Sequence, residues 1–338
     1  MDIETVVNDY SELKQEKYRD YAKKVHELIG SILKNNKIEI HSITWREKDP
    51  KSLHEKIMRE GKSYDTPLEE VTDLAGVRII TYIASDVDKI LPLIKKEFII
   101  DQDNSIDKRK NTDPSVFGYA SVHLIVELSK VRASLPEYEA FKGLKCEIQV
   151  RTILQHAWAE IEHEVVYKSS EDIPFELRRR FASLAGLLEI ADREFESLKR
   201  KEIVVRNRIM EDIKKEYLNI PVNMDSLKIY LERYHNQKNL RPANLSSFNK
   251  FLLENDVRTI EILNGILTVE ALKKSDELIH ELPECKSLVE GHCLIRYFIA
   301  VGIRFNVPLK DIGGKASCLL IANPSTFSKY FLNYKKFG

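Results

Sequence analysis

The sequence predicts an α+β fold over residues 1–220 and an all-α region over residues 221–338. Two stretches, at 119–128 and 144–151, alternate apolar and polar residues with the two-residue period of a β-strand. The stretches around them repeat apolar residues at three- and four-residue spacings, which is typical of amphipathic helices. The sequence Asn-Ile-Pro at 219–221 interrupts this pattern, so we expect the domain boundary there.

The helices of the first region are marked mainly by their starts. Residues 1–36 carry the apolar spacing of one or two helices. Asp49 and Pro50 predict the cap and first residue of the next helix, and residues 66–69 predict a capping box with proline at the first helical position. Helical periodicity returns at 153–167 and again from 175 to about 217.

Composition excludes several classes of protein and leaves a globular chain. The 338 residues contain 53 lysines and arginines and 53 aspartates and glutamates, so any polyanion site must be a local patch. No signal peptide and no run of about 18 uncharged apolar residues is evident, so no membrane partner is expected. Four cysteines fit a reducing compartment, and we expect a cytoplasmic protein.

The predicted strands carry side chains suited to a nucleotide. A β-branched strand at 77–83 precedes a helix to about residue 97, and a short strand is expected at 98–101. The two alternating strands each present a polar face. These faces carry Tyr119, Ser121 and His123 on the first strand and Glu147, Gln149 and Arg151 on the second. Carboxylates hold Mg²⁺, cations bind phosphates and aromatic rings stack on bases. The alternative is a solvated sheet face.

Three further segments bear on that choice, each with a structural alternative. On a helix starting at residue 50, Ser52, Lys56 and Arg59 lie on one side and could bind phosphate or form an ordinary solvated face. Arg78, within an apolar strand, needs a ligand or an ion pair with Glu147 or Asp73.

The third segment is the helix after residue 152. It spaces His156, Glu160 and His163 four and three residues apart. This spacing does not match the zinc signature of two histidines with a glutamate, so we expect no zinc site on this helix.

Four motifs in this order resemble the synthetase domain of the RelA/SpoT family of alarmone synthetases, particularly its small single-activity members. The motifs are Arg46-x-Lys48-x-x-x-Ser52-x-x-x-Lys56, Asp73-Leu74-Ala75-Gly76-Val77-Arg78-Ile79, Gly118-Tyr119-Ala120-Ser121-Val122-His123 and Glu147-Ile148-Gln149-Val150-Arg151-Thr152. They are closed by Trp158-Ala159-Glu160-x-Glu162-His163 and Tyr167-Lys168. The resemblance covers roughly residues 40–170. The His-Asp motif of the family's hydrolase domain has no counterpart, so we expect synthesis without hydrolysis.

The resemblance implies a nucleotidyltransferase-like domain, a mixed β-sheet flanked by helices. It implies transfer of the β,γ-pyrophosphate of ATP to the 3′-hydroxyl of GDP or GTP, with Mg²⁺ as cofactor, and a homo-oligomer. Asp73 and Glu147 would hold Mg²⁺, with Glu147 as general base. ATP would contact Arg46, Lys48, Ser52, Lys56, Arg78, Lys108 and Arg109, and the acceptor nucleotide would contact Tyr119, His123, Gln149 and Arg151.

One departure from the family pattern concerns the acceptor. The family approaches its tyrosine with a lysine and often an asparagine, where this chain has Ser115 and Phe117. Two alternatives therefore stay open. One is a toxic relative that pyrophosphorylates the 3′ end of tRNA or an adenine nucleotide, with Lys108 to Lys110 and Arg178 to Arg180 as candidate tRNA contacts. The other is a catalytically silent nucleotide-binding regulator.

The region 221–338 carries no motif with an evident function. His280, Cys285, His292 and Cys293 do not have the spacing of a standard zinc module, which favours buried cysteines and surface histidines. The tail after residue 326 is rich in aromatic residues, and we expect core packing, with docking onto a partner as the alternative.

Overall fold

The structure is a computed structural model that describes most of the chain in two compact units. The described residues are 2–59, 61, 63–110, 121–166, 175–237, 240–280 and 294–304. The units are Met1–Lys199 and Arg200–Gly338, and the division falls inside a long helix that ends at Lys214. The boundary expected at residue 220 stays a prediction.

The first unit contains seven helices and five strands among the described residues. The helices are α1 (Ile3–Asp9), α2 (Gln15–Asn35), α3 (Pro50–Ile57), α4 (Pro67–Glu70), α5 (Ala84–Glu97), α6 (Ile153–Val166) and the start of α7 (Phe175–Lys214). The strands are β1 (Ser42–Glu47), β2 (Ala75–Thr81), β3 (Phe98–Asp107), β4 (Val122–Leu128) and β5 (Cys146–Thr152). A π-helical turn, Tyr10–Lys14, joins α1 to α2.

The five strands form one mixed sheet in the order β1-β2-β5-β4-β3. Strands β2 and β5 are parallel, and the other neighbouring pairs are antiparallel. The mixed sheet flanked by helices is therefore confirmed. Strand β3 is longer than the short strand expected at 98–101 because its pairing with β4 resumes at Ile106 after an irregularity that begins at Asp101.

The sheet separates an apolar face from a polar face, as the alternation of its strands requires. Side chains such as Ile79, Ile148 and Val150 are fully buried in a core that includes apolar residues of α2 and α5. Their neighbours along each strand point to the opposite face. Among these neighbours, Arg78 on β2 and Gln149 on β5 are only partly buried. The core therefore fixes the register of the polar face.

Both predicted helix starts are found, at Pro50 and Pro67, but only the first has the expected side-chain cap. The Asp49 carboxylate accepts a hydrogen bond from the Ser52 amide at 3.1 Å, and Pro50 is the first residue of α3, as expected. The capping box at 66–69 is wrong. The carboxylate of Glu70, rather than Glu69, accepts from the Thr66 amide, and the Thr66 hydroxyl donates to Glu70 instead of accepting from the helix.

All the described elements of the second unit are helices apart from one isolated bridge between Pro221 and Thr259, which confirms the expected all-α region there. It contains the end of α7 and the helices α8 (Met224–Tyr234), α9 (Pro242–Glu254), α10 (Ile260–Ile266), α11 (Val269–His280) and α12 (Ile295–Arg304). Its mainly aliphatic core contains an aromatic cluster, with the Phe298 ring 4.8 Å from Phe248 and 5.1 Å from Phe251. None of the described helices is both long and apolar enough to cross a bilayer.

Candidate functional site

A pocket of about 250 Å³ opens on the polar face of the sheet. Its lining combines four charged groups from four different elements with an amide. The lining residues are Thr44, Trp45, Arg46, Gly76, Val77, Arg78, Glu147, Gln149 and Glu160. Strands β1, β2 and β5 supply all of them except Glu160, which lies on α6. A pocket of this composition can hold a polar, anionic ligand with a flat group.

Strand register aligns the charged residues in rows across the sheet. Arg46 on β1 lies opposite Gly76 on β2, and Gly76 lies opposite Glu147 on β5. Because Gly76 has no side chain, Arg46 crosses over it, with Cγ 3.5 Å and Nε 3.6 Å from the position of an added Cβ. The absence of a side chain at Gly76 therefore permits this close approach of Arg46. In the next row, Arg78 lies opposite Gln149.

Glu147 is a largely shielded acid on the polar face of the sheet, and an imidazole and an amide form hydrogen bonds with its carboxylate. Its Oε1 accepts from Nδ1 of His123 at 2.8 Å, and its Oε2 accepts from Nε2 of Gln149 at 2.8 Å. Ser121 Oγ lies 2.8 Å from Nε2 of the same imidazole. Burial raises the pKa of Glu147, but the contacts with His123 and Gln149 outweigh burial, so the pKa lies below its usual value. The carboxylate is ionised at neutral pH.

Asp73, just before β2, is the second acid of the site, and two lysines form ion pairs with it. Asp73 with these lysines is the Asp73 cluster, and Glu147 with His123 and Gln149 is the Glu147 cluster. Lys48 Nζ lies 2.8 Å from Oδ2, and Lys56 Nζ lies 2.8 Å from Oδ1. Burial again raises the pKa of Asp73, and the two ammonium groups outweigh it, so the pKa is lowered. The backbone fixes this arrangement because the Lys48 amide donates to the Leu74 carbonyl and the Tyr10 hydroxyl donates to the Lys48 carbonyl at 2.7 Å.

Arg78 and Arg151 pair with Glu160 of α6 rather than with Asp73 or Glu147. Arg78 Nη1 donates to Oε1 of Glu160 at 2.9 Å, so Arg78 has neither of the ion-pair partners left open by the sequence, Glu147 or Asp73. Arg151 lies 3.7 Å from the same oxygen and donates to Gln149 at 3.3 Å. Burial lowers the pKa of Arg151 to about 10, with a further contribution from Arg78, and the side chain stays charged at neutral pH.

The other predicted ATP ligands differ in their surroundings. Ser52 is exposed in the first turn of α3, and Lys108 is exposed after β3. Arg109 forms ion pairs at 2.9 Å with both Asp107 and Asp88. The hydrogen bonds that Arg109 donates to Asp107 raise the pKa of Arg109. Arg109 is therefore already bound to two carboxylates.

Several predicted residues lie outside the described part of the chain. They are Ser115, Phe117, Gly118, Tyr119, Tyr167, Lys168, Cys285, His292, Cys293 and the aromatic tail, together with the side chains of His163, Arg178 and His280. Within the described residues, no group of three or more histidine, cysteine, aspartate or glutamate side chains could hold a metal ion.

Sequence reasoning missed three features of the site. Thr44 and Trp45 were missed because they lie on β1, an edge strand that was not predicted. The contact of the Tyr10 hydroxyl with Lys48 was missed because it spans 38 residues of sequence. Glu160 was noted for its helical spacing from two histidines and as part of a closing motif, but no role was predicted for it. The apolar spacing around Tyr10 indicates a core residue and gives no signal for its hydroxyl.

The chain is similar to known proteins over the segment that carries the pocket. A family model described as a region found in RelA/SpoT proteins matches residues 45–172. The GTP pyrophosphokinase YwaC of Bacillus subtilis (strain 168) is 32% identical over 160 residues, which span 46% of this chain and 72% of YwaC. The chain belongs to the RelA/SpoT family. It is a small synthetase-type member, and its enzyme class is that of a pyrophosphotransferase.

Two further proteins are similar to this chain. The GTP pyrophosphokinase YjbM of the same strain is 30% identical over 166 residues, spanning 47% of this chain and 72% of YjbM. The crystal structure of small alarmone synthetase 1 from B. subtilis is 25% identical, covers 57% of this chain and 97% of that one, and has a TM-score of 0.49. All the pocket residues except Thr44 lie inside the segment that the RelA/SpoT model matches.

Proposed function

We propose that the chain transfers the β,γ-pyrophosphate of ATP to the 3′-hydroxyl of GDP or GTP and so makes a guanosine alarmone. The observation that carries this proposal is the ionised, buried Glu147 beside an arginine-lined pocket. The similarity to two GTP pyrophosphokinases supports the same reaction. Both proposed catalytic carboxylates, Asp73 and Glu147, are present in the chain, which favours an active enzyme over a catalytically silent regulator.

The pocket suits the donor nucleotide. Arg46 and Arg78 lie on neighbouring strands and both line it, and guanidinium planes stack on aromatic bases. Lys48 and Lys56 lie on the Asp73 side and carry the charge that a triphosphate needs. Ser52 and Lys108 are exposed and can add phosphate contacts, whereas Arg109 would have to exchange a carboxylate for the phosphate.

Mg²⁺ fits the donor set formed by Asp73 and Glu147. Both are carboxylates, and both are kept ionised by their partners. Mg²⁺ binds through one or two carboxylates and substrate phosphates while keeping several waters, so a closed protein cage is not needed. When bound, it would neutralise charge that develops on the transferred phosphates. Lys48 and Lys56 would then be free to move from Asp73 to phosphate oxygens.

The acceptor side follows from the neighbours of Glu147. The carboxylate takes the proton of the 3′-hydroxyl, and the resulting oxygen attacks the β-phosphorus of ATP. The new bond joins the 3′-oxygen to that phosphorus, and the bond to the oxygen bridging the α- and β-phosphates breaks, so AMP leaves. His123, Gln149 and Arg151 lie around Glu147 and can orient the acceptor, and the family motif adds Tyr119.

The test is an assay with several acceptors in parallel. The protein is incubated with Mg²⁺, ATP labelled on the γ-phosphate, and GDP, GTP, ADP or deacylated tRNA. Label on GDP or GTP together with equimolar AMP supports the proposal. Release of ADP instead of AMP would mean single-phosphate transfer and would contradict it. Label only on tRNA or ADP would mean that Ser115 and Phe117 report a changed acceptor, as in a toxic relative.

A further inference from the structure

Glu160 is an acid in the pocket to which neither the reaction scheme nor the family resemblance assigns a role. It lies on α6, whereas all the other lining residues come from the sheet. Its Oε1 lies 2.9 Å from Arg78 Nη1, 3.7 Å from Arg151 Nη2 and 3.4 Å from His156 Nδ1. One carboxylate oxygen therefore faces two guanidinium groups and an imidazole.

The contacts of Arg78 define the orientation of its guanidinium plane. Nη1 donates to Glu160 at 2.9 Å, and Nε donates to Gln149 at 3.4 Å. Guanidinium N–H groups point outward in the plane of the group, so these bonds occupy edges and leave the flat faces available for stacking. The ion pair with Glu160 is the shorter and charged contact, and such bonds are the stronger kind.

We propose that Glu160 is a positioning residue that holds the guanidinium plane of Arg78 for stacking on the base of the donor nucleotide. The proposal rests on the proposed function, in which Arg78 contacts ATP. Glu160 acts through Arg78 and takes no part in the chemical step. Without it, Arg78 keeps its charge but gains freedom to rotate, so recognition of the base weakens while attraction for phosphate remains.

A competing explanation gives the opposite result. If the Glu160 carboxylate simply occupies a place that a nucleotide phosphate takes, its removal strengthens the binding of every phosphate ligand. A ligand with a base and a ligand without one therefore separate the two explanations. The suitable pair is a non-hydrolysable ATP analogue and inorganic tripolyphosphate, which has similar charge and no base.

The experiment compares dissociation constants by calorimetry for the full chain and Glu160→Ala. We expect the analogue to bind about five- to tenfold more weakly to the variant, as for loss of a base-stacking contact, and tripolyphosphate to bind as to the original chain. Glu160→Gln should bind the analogue with an affinity between those of the original chain and Glu160→Ala, because the glutamine keeps an acceptor oxygen and loses the charge. Tighter binding of both ligands, or no change in either, would overturn the proposal.

Two controls separate this inference from the proposed function. Glu189→Ala removes an exposed glutamate that forms an i,i+4 pair with Arg193 on α7, so it should bind both ligands as the original chain does. If the original chain fails to bind the analogue, the proposed function is contradicted and the inference falls with it. If the original chain binds it and Glu160→Ala binds it equally well, only the inference is overturned.

Discussion

Asp73 and Glu147 are two buried carboxylates that the fold keeps ionised by different means. Their side chains are similarly shielded, with 15% and 14% of the surface exposed. Two lysine ammonium groups hold Asp73, whereas an imidazole and an amide hold Glu147. Burial raises the pKa of each, and in both cases the partners outweigh burial and lower it.

The difference suits different tasks. Permanent charges hold Asp73, so its ionisation does not change near neutral pH, which is useful for a residue that holds a metal ion and is surrounded by phosphate-binding lysines. Glu147 must accept a proton and give it up again, and full positive charges beside it would make it a poorer base.

The largest expected effect is that of Glu147→Gln. The amide cannot take the proton of the acceptor hydroxyl, so pyrophosphate transfer should fall by about a thousandfold while binding of the ATP analogue changes little. The measurement is the initial rate of label transfer to the acceptor that the assay identifies. Glu127→Gln on β4 is the matched control because Glu127 does not line the pocket. Retention of more than a tenth of the rate by Glu147→Gln would contradict a role as general base.

Asp73→Asn should have the next largest effect, about a hundredfold on the rate. The change removes a proposed Mg²⁺ ligand and leaves Lys48 and Lys56 without their shared partner. Because the metal site is weakened, the variant should need more Mg²⁺ for half-maximal activity than the original chain. A rate measured over a series of Mg²⁺ concentrations tests this. An unchanged Mg²⁺ requirement would mean that Asp73 only organises the lysines.

His123→Ala tests the comparison through pH. Burial raises the pKa of Glu147 and His123 is the main group that lowers it, so the pKa should rise when the imidazole is removed. A base with a higher pKa becomes protonated at higher pH, so the acidic limb of the kcat/KM profile should move upward in pH. Ser121→Ala, which removes a neighbour of the imidazole but leaves the imidazole beside Glu147, should move the limb less. A downward shift for His123→Ala would contradict the assigned cause.

The same residues show how far the sequence leads. Alternation at 119–128 and 144–151 predicted β4 and β5 because one face of each strand packs in the core and the other carries polar groups. Strand β1 was missed because it is short, charged and paired only at the sheet edge with β2. The contact of Arg78 with Glu160 spans 82 residues of sequence, so it depends on how α6 packs and no local pattern reports it.

Motif order predicted which groups share the site but not which groups contact each other. Arg46, Arg78, Glu147 and Gln149, to which the resemblance gave roles toward ATP, metal and acceptor, all line one pocket, while those roles stay predictions. Which charges pair depends on how several charged groups share a small space. Arg78 pairs with Glu160, whereas Lys48 pairs with Asp73 and His123 contacts Glu147. Such pairing is decided by tertiary geometry of a few ångströms.

Tyr10→Phe gives the smallest expected effect and tests whether the two acidic clusters are independent. The Tyr10 ring is fully buried, and its hydroxyl donates to the carbonyl of Lys48. Losing this bond should lower the free energy of unfolding by about 1 kcal/mol and raise the KM for ATP a fewfold, because Lys48 is held less firmly against Asp73. The acidic limb set by Glu147 should stay where it is.

Tyr18→Phe is the matched control for this change. It removes a hydroxyl from a second buried tyrosine, whose ring centre lies 6.1 Å from that of Tyr10, without touching Lys48. We expect the KM for ATP to remain unchanged in this variant, with stability measured by denaturant unfolding alongside the kinetics. If Tyr10→Phe also shifts the acidic limb, the Asp73 and Glu147 clusters are coupled through the sheet. The different partners of the two carboxylates would then serve one shared titration instead of two separate tasks.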